Sequence, residues 1–373
     1  MIFKNAEIYN KDFERVKADI EVTDGIITAV APCIDGPQAL DCTGKVILPG
    51  FVDIHTHGAL GHDITAGQPD AAAVMSQWLA QNGVTSFCPT SMTVDKALLF
   101  DSFRYVADTV GKEPGAYIHG INMEGPFISK AKKGAQAEEN ILPPDFALFD
   151  ELNKTCPVRL VDVAPETDGA LDFIRQAAKV CVVSAAHTQA DYEMGMKAFD
   201  AGVTHITHLY NAMPPLLSRS PGLVGAAMDD SRVMAEIICD GIHIAPAVLR
   251  LTFKALGEDR TVVISDSIMA AGLTDGEYTL GGQKVFVKNG AATLADGTVA
   301  GSTTNLWTEF RNLLRYGIPE KQAVKSCSLN PAKSIGADSI CGSLAPGKNA
   351  DLLIVSADLS AIEQVYIKGK KVV

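Results

Sequence analysis

The stretch Pro49-Gly50-Phe51-Val52-Asp53-Ile54-His55-Thr56-His57-Gly58 decides how the rest of the chain reads. Proline and glycine end the segment before them, and Phe51 to Ile54 then reads as a short buried strand. The strand runs out into two histidines at i and i+2. Strand side chains alternate between faces, so His55 and His57 leave one strand end in the same direction. Each neutral imidazole offers one lone pair, and two on one side can share a metal ion. A packed or surface loop also produces an isolated His-x-His pair, so its meaning rests on the residues downstream.

Downstream the chain alternates regularly. Apolar strands are expected at 51–57, 84–89, 116–123, 158–164, 180–186, 204–209, 234–239 and 261–265, with amphipathic helical segments such as 71–81, 96–110, 169–179 and 191–201 between them. Continuous apolar strands separated by helices imply a parallel sheet covered on both faces. Eight such units in roughly 215 residues fit an α/β fold of the (β/α)8 TIM-barrel type. The strand ends repeat one chemistry: His55-Thr56-His57, Glu124-Gly125-Pro126, Glu166, His187-Thr188, His208-Leu209-Tyr210-Asn211, Asp240-Gly241-Ile242-His243 and Asp266. A barrel brings all of these ends to one face, whereas an open doubly wound sheet would not converge so many on one point.

The flanks read differently. Residues 1–48 are short strands with a hairpin signal at Asp24-Gly25, and 344–373 are β again. The expected organisation is a small β-sandwich domain from 1–48 and 344–373 around a barrel domain of 49–343. Two or three strands are inserted near 275–300, and the last helices come after them at 302–316 and 319–328.

The 373 residues are 47% hydrophobic and 20% charged, with a net charge of -12. That balance argues against nucleic acid or an anionic membrane as the main partner, while a few local cations can still hold a small anionic substrate. No apolar run approaches the roughly 18 residues of a membrane span, and the first residues lack a signal-peptide layout. The eight cysteines are scattered singly without a Cys-x-x-Cys. They read as the reduced small hydrophobes of a cytoplasmic protein.

His55, His57, Glu124, His187 and His208 form the candidate metal set. Four imidazoles and a carboxylate suit Zn2+ first, with Fe2+ or Mn2+ as alternatives, better than Ca2+ or Mg2+. Structural zinc sites are usually closed and cysteine-rich, and this set contains no cysteine. Asp266, at the last strand end, is the natural proton acceptor for a metal-activated water, so the reaction class implied is hydrolysis of an amide, ester or similar bond. His205 reads as packed, and His62 and His119 as structural.

Taken together, these motifs with Asn211-Ala212-Met213-Pro214, Ser265-Asp266, Ala300-Gly301-Ser302 and the Gly342–Asp351 tail resemble the N-acetylglucosamine-6-phosphate deacetylases of the amidohydrolase superfamily. The resemblance covers nearly the whole chain in order. Glu-Gly-Pro with Asn-Ala-Met-Pro and Asp-Gly-x-His is its specific part. It implies a barrel with a small β-sandwich, a homodimer, and release of acetate from a 6-phosphorylated N-acetyl amino sugar. By it, Glu124, His187 and His208 hold one metal, and His55 with His57 hold a second bridged by Glu124, so one or two divalent ions per subunit are expected. It also assigns substrate contacts to Asn211, Ala212, Arg219 and His243, one or more from the neighbouring subunit. The structural alternatives are a solvated charge for Arg219, a loop cap for Asn211 and a packed ring for His243. Lys130, Lys132 and Lys133 read as a solvated run rather than a mobile lid.

Two positions depart from the family pattern, Asn122 and Gln136, where histidine is usual. Gln136 lies near a possible substrate loop, which keeps N-acetylgalactosamine 6-phosphate open as the substrate. Another amidohydrolase, such as a cyclic-amide hydrolase, would often bridge two metals with a carbamylated lysine, and no lysine stands at a strand end here. A catalytically inactive sugar-phosphate-binding barrel would be signalled by loss of Asp266 or a ligand, and none is missing.

Overall fold

The computed structural model describes all of residues 1–373. A (β/α)8 barrel carries a small β domain built from both ends of the sequence. The barrel strands are Phe51–Thr56, Val84–Ser91, a third position split into Tyr117–Ile118 and Ile121–Met123, then Val158–Val163, Val182–Ala185, Val203–Ile206, Met234–Ile237 and Thr261–Val263. Each pairs in parallel with the next. The split falls at Gly120, whose φ of 138° and close approach to the Pro157 carbonyl leave no room for a side chain. Closure of the eighth position onto the first is made at the site itself. The Asp266 N–H donates to the His55 carbonyl at 2.9 Å, and Thr56 bridges Ser267.

Four helices start where a polar side chain takes free backbone N–H groups of the first turn. Asp95, Asp145, Asp191 and Asn305 cap the helices Lys96–Thr109, Phe146–Thr155, Tyr192–Ala201 and Leu306–Arg315 in this way. Below the strand ends, Val52, Ile54, Leu160, Val262 and Ile264 pack with Ala332 of the short helix Leu329–Ser334 and with Ile335 just after it into an apolar cluster. The inserted strands Gly276–Leu280, Gln283–Lys288 and Ala291–Thr293 form their own antiparallel sheet.

The second domain is one sheet in the order Lys370–Lys371, Ile362–Ile367, Leu352–Ser356, Lys45–Pro49, Ile2–Tyr9, Arg15–Thr23 and Ile26–Ala31. The Ile27 N–H donates to the Lys348 carbonyl and the Ala350 N–H to that of Gly25, so the far edge folds back over the C-terminal segment. The two-residue period of the strands sorts the interior. Ile47, Leu352 and Ile354 join Phe3, Ile20 and Tyr366 in the domain's own core, while Val46, Leu48, Leu353 and Val355 face the barrel.

Candidate active site

The backbone turns sharply where the barrel strands end. His187, His208 and Asp266 have φ of 43°, 29° and 48°, left-handed values that cost a residue with a Cβ about 1–3 kcal/mol each. Surrounding bonds hold them there. The Ser129 N–H donates to the His187 carbonyl at 2.9 Å, and Asp266 accepts the Ser302 N–H on its own carbonyl at 2.8 Å.

These turns gather the metal-capable side chains into two sets, Glu124–His187–His208 and His55–His57–Asp266, each with its ligand atoms within 4.8 Å of one another. In the first set Glu124 Oε1 lies 3.1 Å from His187 Nε2 and 3.0 Å from His208 Nε2, with the two nitrogens 3.2 Å apart. In the second, Asp266 Oδ1 lies 3.2 Å from His57 Nε2 and 3.6 Å from His55 Nε2. Glu124 joins the sets: its Oε1 is 3.6 Å from His55 Nε2 and its Oε2 is 3.5 Å from His57 Nε2. All six are buried.

The tautomers of three histidines are fixed by groups that can only accept a proton. His187 Nδ1 faces the Lys132 carbonyl at 2.8 Å, His57 Nδ1 the Thr90 carbonyl at 3.1 Å, and His55 Nδ1 the Glu236 carboxylate at 3.0 Å. Nδ1 therefore carries the hydrogen in each ring, and the Nε2 lone pairs turn inward toward two carboxylates. His55 Nε2 is buried with no hydrogen-bond partner. Lone pairs and anions converging among buried side chains repel unless a cation sits among them, so the donor set fits a divalent metal. The titration tendencies express the same demand. Burial opposes charge on His55 and His57, yet Glu236 and Glu124 outweigh it for the first and Asp266 and Glu124 for the second, raising both pKa values. Glu124, against the penalty of burial, is held well below the usual carboxylate range by His187 and His208.

A cavity of about 320 Å³ opens above the two sets. Asn211, Ala212 and His243 line it. His243 is aimed by Asp240, whose Oδ2 accepts from Nδ1 at 2.7 Å while Oδ1 takes the N–H groups of Ile242 and His243. Asn211 also acts as a loop brace, donating to the His208 and Leu209 carbonyls. Arg219 stands apart from these: it is exposed, makes no ion pair and does not line the cavity of its own chain. Glu166 lies outside the cavity as well, accepting from Thr188 Oγ1 and the Gln189 N–H.

Several residues at the site were not singled out by the sequence motifs. Glu236 is fully buried behind His55. Gln136 lines the cavity, donates to Glu124 Oε2 at 2.6 Å and accepts the Thr93 N–H at 2.7 Å. The sequence marked it as a departure from a family pattern near a possible substrate loop. Thr298 to Gly301 bring a wall from beyond the inserted sheet. The lysine run is not a free solvated segment. Lys132 lines the cavity, and its Nζ reaches the Met213 carbonyl at 3.4 Å. His205, fully buried, sits 3.1 Å from Glu236 through Nε2 and 2.7 Å from Ser334 Oγ through Nδ1.

Comparison with known proteins gives the family. Residues 46–372 match the amidohydrolase family model, and the chain belongs to that family. It is 37% identical over 326 residues to the N-acetylglucosamine-6-phosphate deacetylase of Bacillus subtilis (strain 168), covering 85% of this chain and 82% of the relative. It is 33% identical over 356 residues to the N-acetylgalactosamine-6-phosphate deacetylase of Escherichia coli O157:H7, covering 94% and 93%. Among solved structures, a mutant N-acetyl-D-glucosamine-6-phosphate deacetylase of Mycobacterium smegmatis in complex with N-acetyl-D-glucosamine-6-phosphate superposes with a TM-score of 0.93 at 32% identity, covering 100% of this chain and 99% of that one.

Proposed function

We propose that this protein is a divalent-metal-dependent N-acetylglucosamine-6-phosphate deacetylase, hydrolysing the acetamide to give glucosamine 6-phosphate and acetate. The observation that carries the reading is Asp266, a carboxylate lining the cavity beside two converging ligand sets. Relatives named as deacetylases of two epimeric 6-phosphosugars support the substrate class.

Glu124, His187 and His208 would hold one ion, and His55 and His57 with Glu124 a second, Zn2+ before Fe2+ or Mn2+. Bound there, such an ion activates water and polarises the acetyl oxygen. Asp266 takes one proton from the attacking water as its oxygen bonds to the acetyl carbon. It then delivers that proton to the sugar nitrogen as the carbon–nitrogen bond breaks. Without that transfer the amine is a very poor leaving group. Asn211, Ala212 and His243 orient the sugar phosphate, and the buried walls exclude bulk water.

We take the working form to be a cytoplasmic homodimer. Arg219 is exposed, unpaired and flanked by exposed Leu216 and Leu217, which supports its serving the phosphate of a neighbouring cavity. Free cysteines, most of them buried, support a reducing compartment.

The test is acetate release from N-acetylglucosamine 6-phosphate, beside the unphosphorylated sugar and the galactosamine epimer, before and after chelation and metal return. Fast, metal-restored release from the phosphorylated glucosamine is expected. Preference for the epimer would keep the chemistry and move the substrate. No release from any sugar by metal-loaded protein would leave an inactive binding barrel.

A further inference from the structure

We infer that Glu236 is the positioning residue that turns His55 and His57 into a second metal position, and so sets whether a subunit carries two ions or one. This role rests on the two-position reading of the site.

Glu236 lies on the seventh barrel strand with none of its surface exposed. A carboxylate so placed is costly unless every neighbour compensates it. Its Oε2 faces His55 Nδ1 at 3.0 Å and accepts the His208 N–H at 3.2 Å. Its Oε1 lies 3.1 Å from His205 Nε2, and its carbonyl accepts the Leu209 N–H at 2.8 Å. The carboxylate therefore touches a ligand of each set, but in different ways. To His208 it offers an acceptor for the backbone. To His55 it offers the one group that fixes the ring.

The difference from His57 and His187 is decisive. His57 and His187 are oriented by main-chain carbonyls, those of Thr90 and Lys132, which any sequence adopting this fold supplies. His55 alone depends on a side chain. With an acceptor at Nδ1, its unpartnered Nε2 is directed toward Glu124 Oε1 and Asp266 Oδ1, both 3.6 Å away. Without one, the ring is free to rotate or to put its hydrogen on Nε2, and the second position loses a ligand. Glu236 meets the first set only through the His208 backbone N–H and through none of its side-chain ligand atoms, so the first position is expected to stay. Outer partners of this kind typically hold about 10–100-fold in metal affinity.

The experiment titrates metal-free protein with Zn2+ in competition with a chromogenic chelator, and counts bound zinc by elemental analysis. Wild-type protein is expected to take two ions per chain. E236L is expected to keep one at wild-type affinity and bind the second about 10–100-fold more weakly. E236Q is expected to retain both, because its amide oxygen still accepts from His55 Nδ1–H while its NH2 group faces His205. Selective 15N-histidine NMR of zinc-loaded wild-type protein reads the tautomer without touching Glu236, with Nδ1–H expected on His55. Two ions at wild-type affinity in E236L, equal weakening of both positions, or Nε2–H on His55 would overturn the role of Glu236 alone. A single ion in wild-type protein would overturn the two-position reading and this inference with it.

Discussion

Asp266 shows how much of the site is set by one residue's surroundings. Its backbone closes the barrel through the His55 carbonyl, its φ is left-handed, and its Oδ1 rests 3.2 Å from His57. Burial raises its pKa, but His57 and His55 outweigh that and hold it below the usual carboxylate range, so it is ionised and its oxygens are free to act as acceptors. Asp266→Asn removes the acceptor with almost no change of shape. Turnover should fall by about 10²–10⁴-fold while the ion held by Glu124, His187 and His208 remains, read by steady-state kinetics beside elemental analysis. Full activity would remove Asp266 from the proton path. The two clusters of metal-capable side chains were legible in the sequence because each member comes at the end of an apolar strand and carries a distinctive short motif. Glu236 was not, since Met234-Ala235-Glu236-Ile237 reads as a strand with one stray acid. Its partner His55 is 181 residues away, and only the closed barrel brings them together.

At the scale of elements, the short helical turn Lys130–Lys132 and the glycine after it act as a wall for His187. Gly134 sits at φ 56°, and a Cβ there would lie 3.3 Å from His187 Cε1. Gly134→Ala should therefore displace the ring, speeding metal loss to a chelator and lowering kcat severalfold. Gly169→Ala is the comparison: its φ is 79°, but nothing lies within 4 Å of the added carbon. It carries the same backbone cost of about 1–2 kcal/mol without the contact. Equal effects of both variants on chelation would show that strain alone is at work. Strand and helix periodicity made the barrel legible, because continuous apolar runs and 3.6-residue patterns report burial directly. The break at Gly120 and the wall at Thr298–Gly301 were not, because tertiary approach sets both.

For the whole molecule, acid sensitivity is expected at the seam between the barrel and the β domain. His119 packs edge-on against Tyr117, with Arg159 and Lys368 near and Cys341 Sγ at 3.8 Å. Burial first, then the two cations, push its pKa down to about 4. Its neutral form contributes stability above the ordinary histidine pKa of about 6.5. That contribution is lost as pH falls from there toward 4, since only the unfolded chain takes up the proton. His119→Gln should flatten that part of the denaturation-midpoint profile, and an unchanged slope would assign it elsewhere. The dimer proposal has its own test. Arg219→Ala and Asp266→Asn should each be nearly inactive alone, whereas mixed and re-associated subunits should regain about a quarter of the sites, because a mixed dimer rebuilds one intact cavity. No recovery would place Arg219 outside the partner's cavity. Pairing of the two chain ends into one domain was legible from their shared β texture.

The antiparallel pairing of Lys45–Pro49 with Leu352–Ser356 also has a consequence for how the chain is made. During synthesis the earlier strand leaves the ribosome with one edge open, and its partner arrives some 300 residues later, about 15–60 s at ordinary elongation rates. Until then Val46 and Leu48 have a barrel to lean on only as fast as that barrel can assemble. The newborn protein therefore depends on its last strands for completion, and a stalled or prematurely ended chain presents a sticky sheet edge, a natural signal for chaperones or proteases to act on.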